Sequence, residues 1–379
     1  MKKLIYALLI VALLVSSGLF LVQQRVTPPA SKPTSSNSLL SADNKAYARV
    51  LKPAAFTFPK DHGAHPEYHV EWWYFTGNLQ SAAEQKFGYE LTFFRFALTP
   101  DQPKSLSMWR DNQIYMAHFA LTDVQDKHFY TDERFSRAGN DLAGADVEKY
   151  HVWLYDWKAE ATDESGSVIH LEAKTDEFAI SLNLKPEKKI ALQGFEGYSK
   201  KNEELGNASY YYSYTRMATT GCIWVNQQSF DVSGSSWMDR EWSSAALSAE
   251  QVGWDWFALQ LSDHSELMFY RFRRKDGKQD IHNAGAIFNA DDSKISLDYS
   301  DVSIKVLEHW KSPHSYISYP AKWHISIPSQ RLELEITPLI NDQELNHRYR
   351  YWEGAISVTG KKYDQPINGQ GYVELTGYQ

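Results

Sequence analysis

The amino-acid sequence predicts an all-β fold made of two related domains that follow an N-terminal hydrophobic helix. Aromatic residues make up 14% of the 379 residues, with 13 tryptophans, and such side chains favour β-strands that enclose apolar space. Short alternating segments recur along the chain, which is typical of a β-sandwich or a β-barrel. A long internal repeat indicates that one domain occurs twice, because the units of solenoid proteins are much shorter.

Two hairpins carry the internal repeat. Residues 90–96 (ELTFFRF) and 266–272 (ELMFYRF) agree at five of seven positions, and an aromatic strand precedes each of them. A weaker match joins residues 234–239 (GSSWMD) to residues 369–374 (GQGYVE). From this repeat we predict that the two hairpins are formed by equivalent strands of the two domains.

The N-terminus is predicted to be an export signal. Two lysines precede residues 4–22, an uncharged apolar run whose length is close to the ~20 residues that span a bilayer. We therefore expect residues 1–24 to be either a cleaved signal peptide or a retained membrane anchor. Residues 25–46, rich in proline and serine, would be a flexible tether. The two domains, residues 47–242 and 243–379, would then lie in the periplasm or cell envelope.

Charge and composition exclude several kinds of partner and site. A net charge of −8 argues against nucleic acid, whose phosphates need basic patches. The single cysteine, Cys222, excludes an intramolecular disulfide and a multi-cysteine metal site. No Gly-x-Ser-x-Gly elbow occurs, which disfavours a serine hydrolase. Histidines near Glu71 could be metal ligands, but their spacing matches no closed motif, and we predict neither a metal nor a cofactor.

Residues 69–79 (HVEWWYFTGNL) predict a strand with large rings on both faces. Alternate residues of a strand share a face, so His69, Glu71 and Trp73 would point the same way. Ionisable groups among rings indicate a strand that lines a cavity. His69 and Glu71 are therefore candidates for a catalytic acid and base, and the alternative is a buried, hydrogen-bonded latch.

A later strand places another carboxyl among indoles. In residues 237–242 (WMDREW), Trp237, Asp239 and Glu241 would share one face. Burial in apolar surroundings raises the pKa of a carboxyl, so Asp239 is a candidate proton donor. The alternative is that Asp239 pairs with an arginine, such as Arg240 of a neighbouring molecule or Arg95, and only closes the barrel.

Further candidates for ligand binding come from aromatic and polar positions on neighbouring strands. A strand with alternate tyrosines would present a row of rings tipped with hydroxyl groups. The full set of candidate ligand-binding side chains is Trp73, His118, Tyr210, Tyr212, Trp237 and Glu241.

Three separated motifs resemble one known family. Residues 69–77 (HVEWWYFTG), 237–242 (WMDREW) and 371–378 (GYVELTGY) are similar to motifs of the family that joins hydroxyneurosporene synthase, a carotenoid hydratase, to AttH-like secreted proteins. The AttH-like branch is the closer match, and it covers nearly the whole chain after the tether. The resemblance implies two lipocalin-like antiparallel β-barrel domains that bind a hydrophobic ligand within or between them.

The resemblance also implies two functions. AttH-like proteins are often associated with permeases of ABC transporters, which implies an envelope protein that binds a lipid- or isoprenoid-like ligand as an accessory or carrier. The hydratase branch adds water to an alkene of an acyclic isoprenoid, which implies a cofactor-free hydro-lyase or isomerase. The acidic aspartate of that branch falls on Asp239. Its accompanying histidine and tryptophan fall near Tyr210 and Tyr212, and Trp237 stands where that branch has a tyrosine.

Overall fold

The computed structural model describes residues 46–100, 107, 109, 111–244 and 247–379. Residues 1–24, predicted to hold the hydrophobic helix of a signal peptide or anchor, lie outside the described residues, as does nearly all of the tether. Within the described ranges, no helix is long and apolar enough to cross a membrane.

The described residues form two antiparallel sheets, and each sheet is curled into a nearly closed barrel. Helix is limited in this part of the chain to three short 3-10 turns, Lys60–His62, Gly139–Asp141 and Pro328–Gln330. The predicted all-β fold with two antiparallel barrel domains is confirmed.

The first sheet begins with the strand predicted from residues 69–79. Its strands are β1 (Val70–Ser81), β2 (Lys86–Ala97), β3 (Gln113–Asp123), β4 (His128–Arg137), β5 (Ala143–Ala145), β6 (His151–Leu154), β7 (Trp157–Ala161), β8 (Ile169–Lys174), β9 (Phe178–Pro186), β10 (Ala191–Leu192), β11 (Tyr198–Lys200), β12 (Ala208–Val225) and β13 (Gln228–Ser243). The strand order is β4-β3-β2-β1-β13-β12-β9-β8-β7-β6-β5, and β10 and β11 also pair with β12.

The second sheet uses the rest of the chain. Its strands are β14 (Gln251–Leu261), β15 (Glu266–Arg274), β16 (Ala284–Phe288), β17 (Lys294–Asp298), β18 (Ser303–Lys311), β19 (Ser318–Ile327), β20 (Leu332–Pro338), β21 (Glu344–Asn346), β22 (Arg350–Lys362) and β23 (Gln365–Thr376). The strand order is β17-β16-β15-β14-β23-β22-β20-β19-β18, with β21 on β22. β14 lies between β15 and β23 as β1 lies between β2 and β13.

A carboxylate and an arginine occupy matching positions in the two copies. Glu71 on β1 is the cross-strand partner of Arg95 on β2, and Asp255 on β14 is the cross-strand partner of Arg271 on β15. The two hairpins of the internal repeat therefore lie on equivalent strands, as the sequence predicted.

Alternation along β1 divides its side chains between two environments. Trp73 and Phe75 pack in the core of the first barrel. Tyr74 lies in a separate cluster with Trp256 and Tyr372 of the second sheet. Both faces of β1 are thus covered, which accounts for the large apolar rings on both sides of this strand.

The two sheets pack against each other through these second faces. Asn78 Nδ2 donates to the Gly371 carbonyl at 3.0 Å, and a Cβ atom added at Gly88 would lie 2.5 Å from Ala355 Cβ. The first sheet ends at Ser243 and the second begins at Gln251. The domain boundaries proposed from the sequence, residues 47–242 and 243–379, remain predictions.

Candidate active site

The facing surfaces of the two barrels enclose a cavity of about 160 Å³. A dry apolar cavity of about 150 Å³ can take up a molecule the size of benzene, so this one has room for one ring or a branched hydrocarbon end. Aromatic side chains from both sheets form much of its wall, among them Trp72, Tyr211, Trp254, Trp256, Tyr270 and Tyr351. The ionisable groups on the wall include His118, Lys201, Asp239, Glu241 and Glu374.

Strand β13 supplies two of these groups by alternation. Asp239 and Glu241 face the cavity, whereas Met238 and Trp242 pack in the core of the first barrel. Trp237 lies in the cluster between the sheets. The predicted common face of Trp237, Asp239 and Glu241 is therefore present in the structure.

Asp239 is buried, with 4% of its surface exposed, and all its hydrogen-bond donors are neutral. Tyr211 Oη donates to Oδ2 at 2.6 Å, Trp237 Nε1 donates to Oδ1 at 2.6 Å, and the Ser213 hydroxyl donates to Oδ1. No basic side chain in the described part of the chain forms an ion pair with Asp239. The arginine-paired alternative is thus not the arrangement found.

These surroundings favour the protonated form of Asp239. Burial raises the pKa of Asp239 to about 7, because an ion is poorly solvated in this wall. The hydrogen bonds from Ser213, Tyr211 and Trp237 act against burial, and the charge of Glu241 acts with it. Asp239 can therefore carry a transferable proton near neutral pH.

Lys201 and Glu241 form an ion pair on the same wall, with 3.0 Å between Nζ and Oε1. The ammonium group lies 4.7 Å from the ring centre of Tyr270, within the range of a cation–π contact. Burial is the largest influence and lowers the pKa of Lys201, but the charges of Glu241, Tyr270 and Asp239, together with the hydrogen bond to Glu241, raise it overall. Gln251 fixes the backbone here, since its Nε2 donates to the Lys201 carbonyl at 3.1 Å.

Glu374, on β23, brings a second carboxyl to the cavity from the other barrel. Trp254 Nε1 donates to its Oε2 at 3.1 Å. Burial raises the pKa of Glu374 to about 7 against the hydrogen bond from Trp254, and the charges of Asp239 and Glu241 contribute to the rise. Two carboxyls with raised pKa values therefore share one cavity.

Glu71 lies on the opposite face of β1 and has charged partners. Its carboxylate is paired with the guanidinium groups of Arg95 and Arg240, and the backbone N–H of His65 donates to Oε2 at 3.0 Å. Burial alone would raise the pKa of Glu71, but Arg95 and Arg240 hold it well below its usual range. Glu71 is therefore ionised and outside the cavity, in the latch-like arrangement.

The remaining candidates near Glu71 also lie away from the cavity. His69 packs its ring 4.8 Å from that of Tyr47, and burial, followed by the charge of Arg95, lowers its pKa. The Trp73 ring lies 3.9 Å from the guanidinium carbon of Arg240.

Two tyrosines of β12 bond to the segment that precedes β1. Tyr212 Oη bonds to His62 Nδ1 at 2.6 Å, and Tyr210 Oη donates to the Lys52 carbonyl at 3.0 Å. They brace the first barrel beside the Glu71 cluster and do not line the cavity.

His118 does line the cavity. Its Nδ1 bonds to Tyr351 Oη at 2.7 Å, and its Nε2 lies 3.2 Å from Glu133 Oε2. The structure thus brings His118, Asp239 and Glu241 to one cavity, with Trp237 beside Asp239. Within the described residues, no group of three or more histidine, cysteine or acidic side chains is placed to hold a metal ion.

The sequence did not identify the contribution of the second barrel. All the candidate residues lie in the first domain, yet the second barrel supplies Trp254, Trp256, Tyr270 and Glu374 to the cavity. The sequence did contain a signal for Glu374. The weaker repeat aligns residues 369–374 with residues 234–239, so Glu374 stands at the position equivalent to Asp239.

Two more carboxyls are buried between the barrels, away from the cavity wall. Glu90 and Glu353 are fully buried, and Glu353 accepts a hydrogen bond from Tyr74 Oη at 2.5 Å. Burial first, and then the neighbouring charge of Glu374, raise the pKa of Glu353 well above its usual range. Burial likewise raises the pKa of Glu90 well above its usual range, so the surroundings of both groups favour the protonated form.

Comparison with known proteins gives a family match and a set of similar folds. The chain matches the AttH-like family over residues 49–378. A solved structure from Nitrosomonas europaea, described as an AttH, is 33% identical, with a TM-score of 0.78 over 88% of this chain and 100% of that one. No functionally curated protein matches the chain.

Two more distant structures share the fold. Kievitone hydratase from Nectria haematococca is 14% identical, with a TM-score of 0.66 over 92% of this chain and 98% of that one. CghA, solved with Sch210972, is 12% identical, with a TM-score of 0.52 over 90% of this chain and 97% of that one. At these identities the likeness is one of fold alone.

Proposed function

Because the chain belongs to the AttH-like family, we propose that it is a cofactor-free hydro-lyase that adds water to an alkene of a hydrophobic, isoprenoid-like molecule. The position of Asp239 carries this proposal. A carboxyl buried among rings without a cationic partner is costly to stability, and such groups concentrate at functional sites. One of the proteins with a similar fold is a hydratase, which makes hydration the reaction to test.

In the proposed reaction, Asp239 gives its proton to one carbon of the alkene. The positive charge that develops on the other carbon is stabilised by ring faces on the cavity wall, such as those of Trp256 and Tyr211. A water molecule forms a C–O bond at that carbon and loses one proton, so that alkene and water together give an alcohol. Loss of a proton from an adjacent carbon would instead give double-bond isomerisation.

The experiment uses geraniol, an acyclic isoprenoid, and 18O-labelled water with the purified protein. We expect the wild type to form a hydrated product that carries one 18O atom. Asp239→Asn keeps the shape of the side chain and removes the acid, so it should lower the hydration rate by at least about 100-fold, the usual contribution of a general acid.

The matched control is Asp123→Asn. Asp123 is also buried, but it accepts hydrogen bonds from Gln85 and does not line the cavity. This variant should retain the wild-type rate. A hydration rate of Asp239→Asn equal to that of the wild type would contradict the proposed role of Asp239.

The second candidate is a carrier that binds a lipid- or isoprenoid-like molecule for an ABC-type permease. The largely aromatic wall of the cavity favours it, since a carrier needs only a dry apolar space. In that case Asp239→Asn would bind ligand like the wild type, and no variant would turn it over. Native mass spectrometry of protein purified from its own host would reveal a bound lipid.

We propose in addition that the protein acts in the periplasm or cell envelope, because residues 4–22 are apolar and follow two lysines. Fusion of residues 1–44 to a reporter that is active only outside the cytoplasm should give an active reporter. An inactive fusion would contradict export.

A further inference from the structure

The second carboxyl of the cavity, Glu374, is not needed to explain how Asp239 donates a proton. We propose that Glu374 is the general base of the same reaction: it accepts the proton of the water molecule that adds to the alkene. This inference rests on the proposed hydration. Both barrels then contribute a catalytic carboxyl to the active site, because Asp239 lies on β13 and Glu374 on β23.

The two carboxyls reach the cavity from strands of different barrels, and rings of the two barrels are in contact beside them. Trp237, which donates to Asp239, meets Trp256 edge to face at 6.1 Å between ring centres. Trp256 is the cross-strand partner of Glu374, and its Nε1 donates to Tyr211 Oη at 3.3 Å. Aromatic surface therefore joins the two carboxyls and can hold an alkene between them.

The two carboxyls differ in how well they can bind water. Asp239 is buried, and its oxygens accept hydrogen bonds from three protein donors. Glu374 is only partly buried, and the one side-chain donor to it in the described part of the chain is Trp254, which bonds to Oε2. Oε1 of Glu374 is left as an acceptor for a water molecule, so this group suits the base.

The charge of the pair also favours this division of roles. Two ionised carboxylates in one apolar cavity are unfavourable, and one proton shared between them relieves the repulsion. With Asp239 protonated and Glu374 ionised, proton transfer to the alkene and from the water leaves Asp239 ionised and Glu374 protonated. The pair carries one proton before and after the reaction, and exchange with solvent restores the starting state.

Other ionisable groups surround the pair from every strand packed against it. They are Tyr74 on β1, Glu90 on β2, His118 on β3, Lys201 directly after β11, Tyr211 on β12, Glu241 on β13, Tyr270 on β15, and Tyr351 and Glu353 on β22. Lys201 is paired with Glu241, and burial raises the pKa values of Glu90 and Glu353 well above their usual range. Among these carboxyls, Asp239 and Glu374 are the two whose pKa values are raised to about 7.

The test measures hydration of geraniol in 18O-labelled water as a function of pH. The wild type should be most active near pH 7, because the pKa values of Asp239 and Glu374 are both raised to about 7, and the rate should fall on both sides. Glu374→Gln should lower the rate by at least about 100-fold and abolish the fall at low pH. Glu374→Asp, which retains a carboxyl, should recover part of the rate.

Glu353→Gln is the matched control. Glu353 is the cross-strand neighbour of Glu374, and it is buried away from the cavity wall. This variant should keep the wild-type rate and pH profile. If Glu374 were only structural, Glu374→Gln would lower the melting temperature and would keep the fall at low pH.

The outcomes separate this inference from the proposal on which it rests. An inactive Asp239→Asn variant together with a fully active Glu374→Gln variant would overturn the base and leave the acid in place. A wild-type protein that adds no labelled water to geraniol would overturn the proposed hydration, and the base with it.

Discussion

Two buried carboxyls on paired strands of the first barrel have opposite protonation. Glu71 on β1 is fully buried and Asp239 on β13 is 4% exposed, so burial is nearly the same. Glu71 faces two guanidinium groups, from Arg95 and Arg240, and stays ionised. Asp239 accepts hydrogen bonds from the neutral groups of Tyr211, Ser213 and Trp237 and holds its proton to about pH 7. The partners, and not the depth of burial, decide whether a carboxyl in this fold is a structural latch or an acid.

The largest expected effect is the loss of the Glu71 latch. Glu71→Gln removes the charge that compensates two buried arginines, and breaking a buried ion pair on one side costs about 3–5 kcal/mol. We expect the free energy of unfolding, measured by urea denaturation, to fall by that amount. Glu67→Gln, an exposed neighbour, should change it by less than about 0.5 kcal/mol. Equal effects of the two variants would mean that Glu71 does not hold the barrel.

Asp239→Asn should instead raise the free energy of unfolding at high pH. The folded protein keeps the Asp239 proton up to about pH 7, whereas the unfolded chain loses it near its ordinary pKa of 3.8. Between these values the folded state binds more protons, so this contribution to stability is complete below pH 3.8 and is lost as the pH rises to about 7. The asparagine variant has no proton to lose at this position, so its stability does not fall for this reason as the pH rises.

The variant should therefore match the wild type near pH 4 and be more stable at pH 8. Each tenfold difference in proton affinity is worth about 1.4 kcal/mol, so a rise from 3.8 to about 7 makes the gain about 4 kcal/mol. Urea denaturation at both pH values measures it, with Asp123→Asn as the control that should show no such gain. A loss of stability at pH 8 would mean that Asp239 is ionised and structural.

The second barrel offers a weaker version of the latch. Asp255 is paired with Arg271 and Arg273, but these arginine side chains are 22% and 20% exposed, so water can solvate them once their partner is lost. Asp255→Asn should cost about 1–3 kcal/mol, less than Glu71→Gln. A larger loss than that of Glu71→Gln would reverse the order that solvent exposure predicts.

Much of this architecture follows from local pattern. Period-two alternation placed Asp239 and Glu241 on one face of β13, and the repeat placed Arg95 and Arg271 on equivalent strands, because both features are set by neighbouring residues. The face of β1 was harder to assign. The ionisable groups on the face of Glu71 indicated a cavity, but that face holds the latch, and the cavity uses the face of Tyr74.

Sequence alone could not settle this, because both faces of β1 carry large rings for different reasons. One face fills the core of the first barrel and the other packs on the second barrel, and the docking of two barrels leaves no periodic signal. The arginine that pairs with Glu71 from β13, Arg240, lies beside Asp239 in the sequence but on the other face of the strand. Glu374 was aligned with Asp239 by the repeat, yet its contact with the same cavity depends on that docking.

The most direct measurement is the infrared difference spectrum between the wild type and Asp239→Asn at about pH 6, below the raised pKa of about 7. If Asp239 bears a proton in the cavity, the difference contains the carbonyl band of a protonated carboxylic acid, and this band disappears as the pH rises past about 7. A carboxylate band at pH 6 in place of the acid band would show Asp239 ionised like Glu71, and would contradict the account.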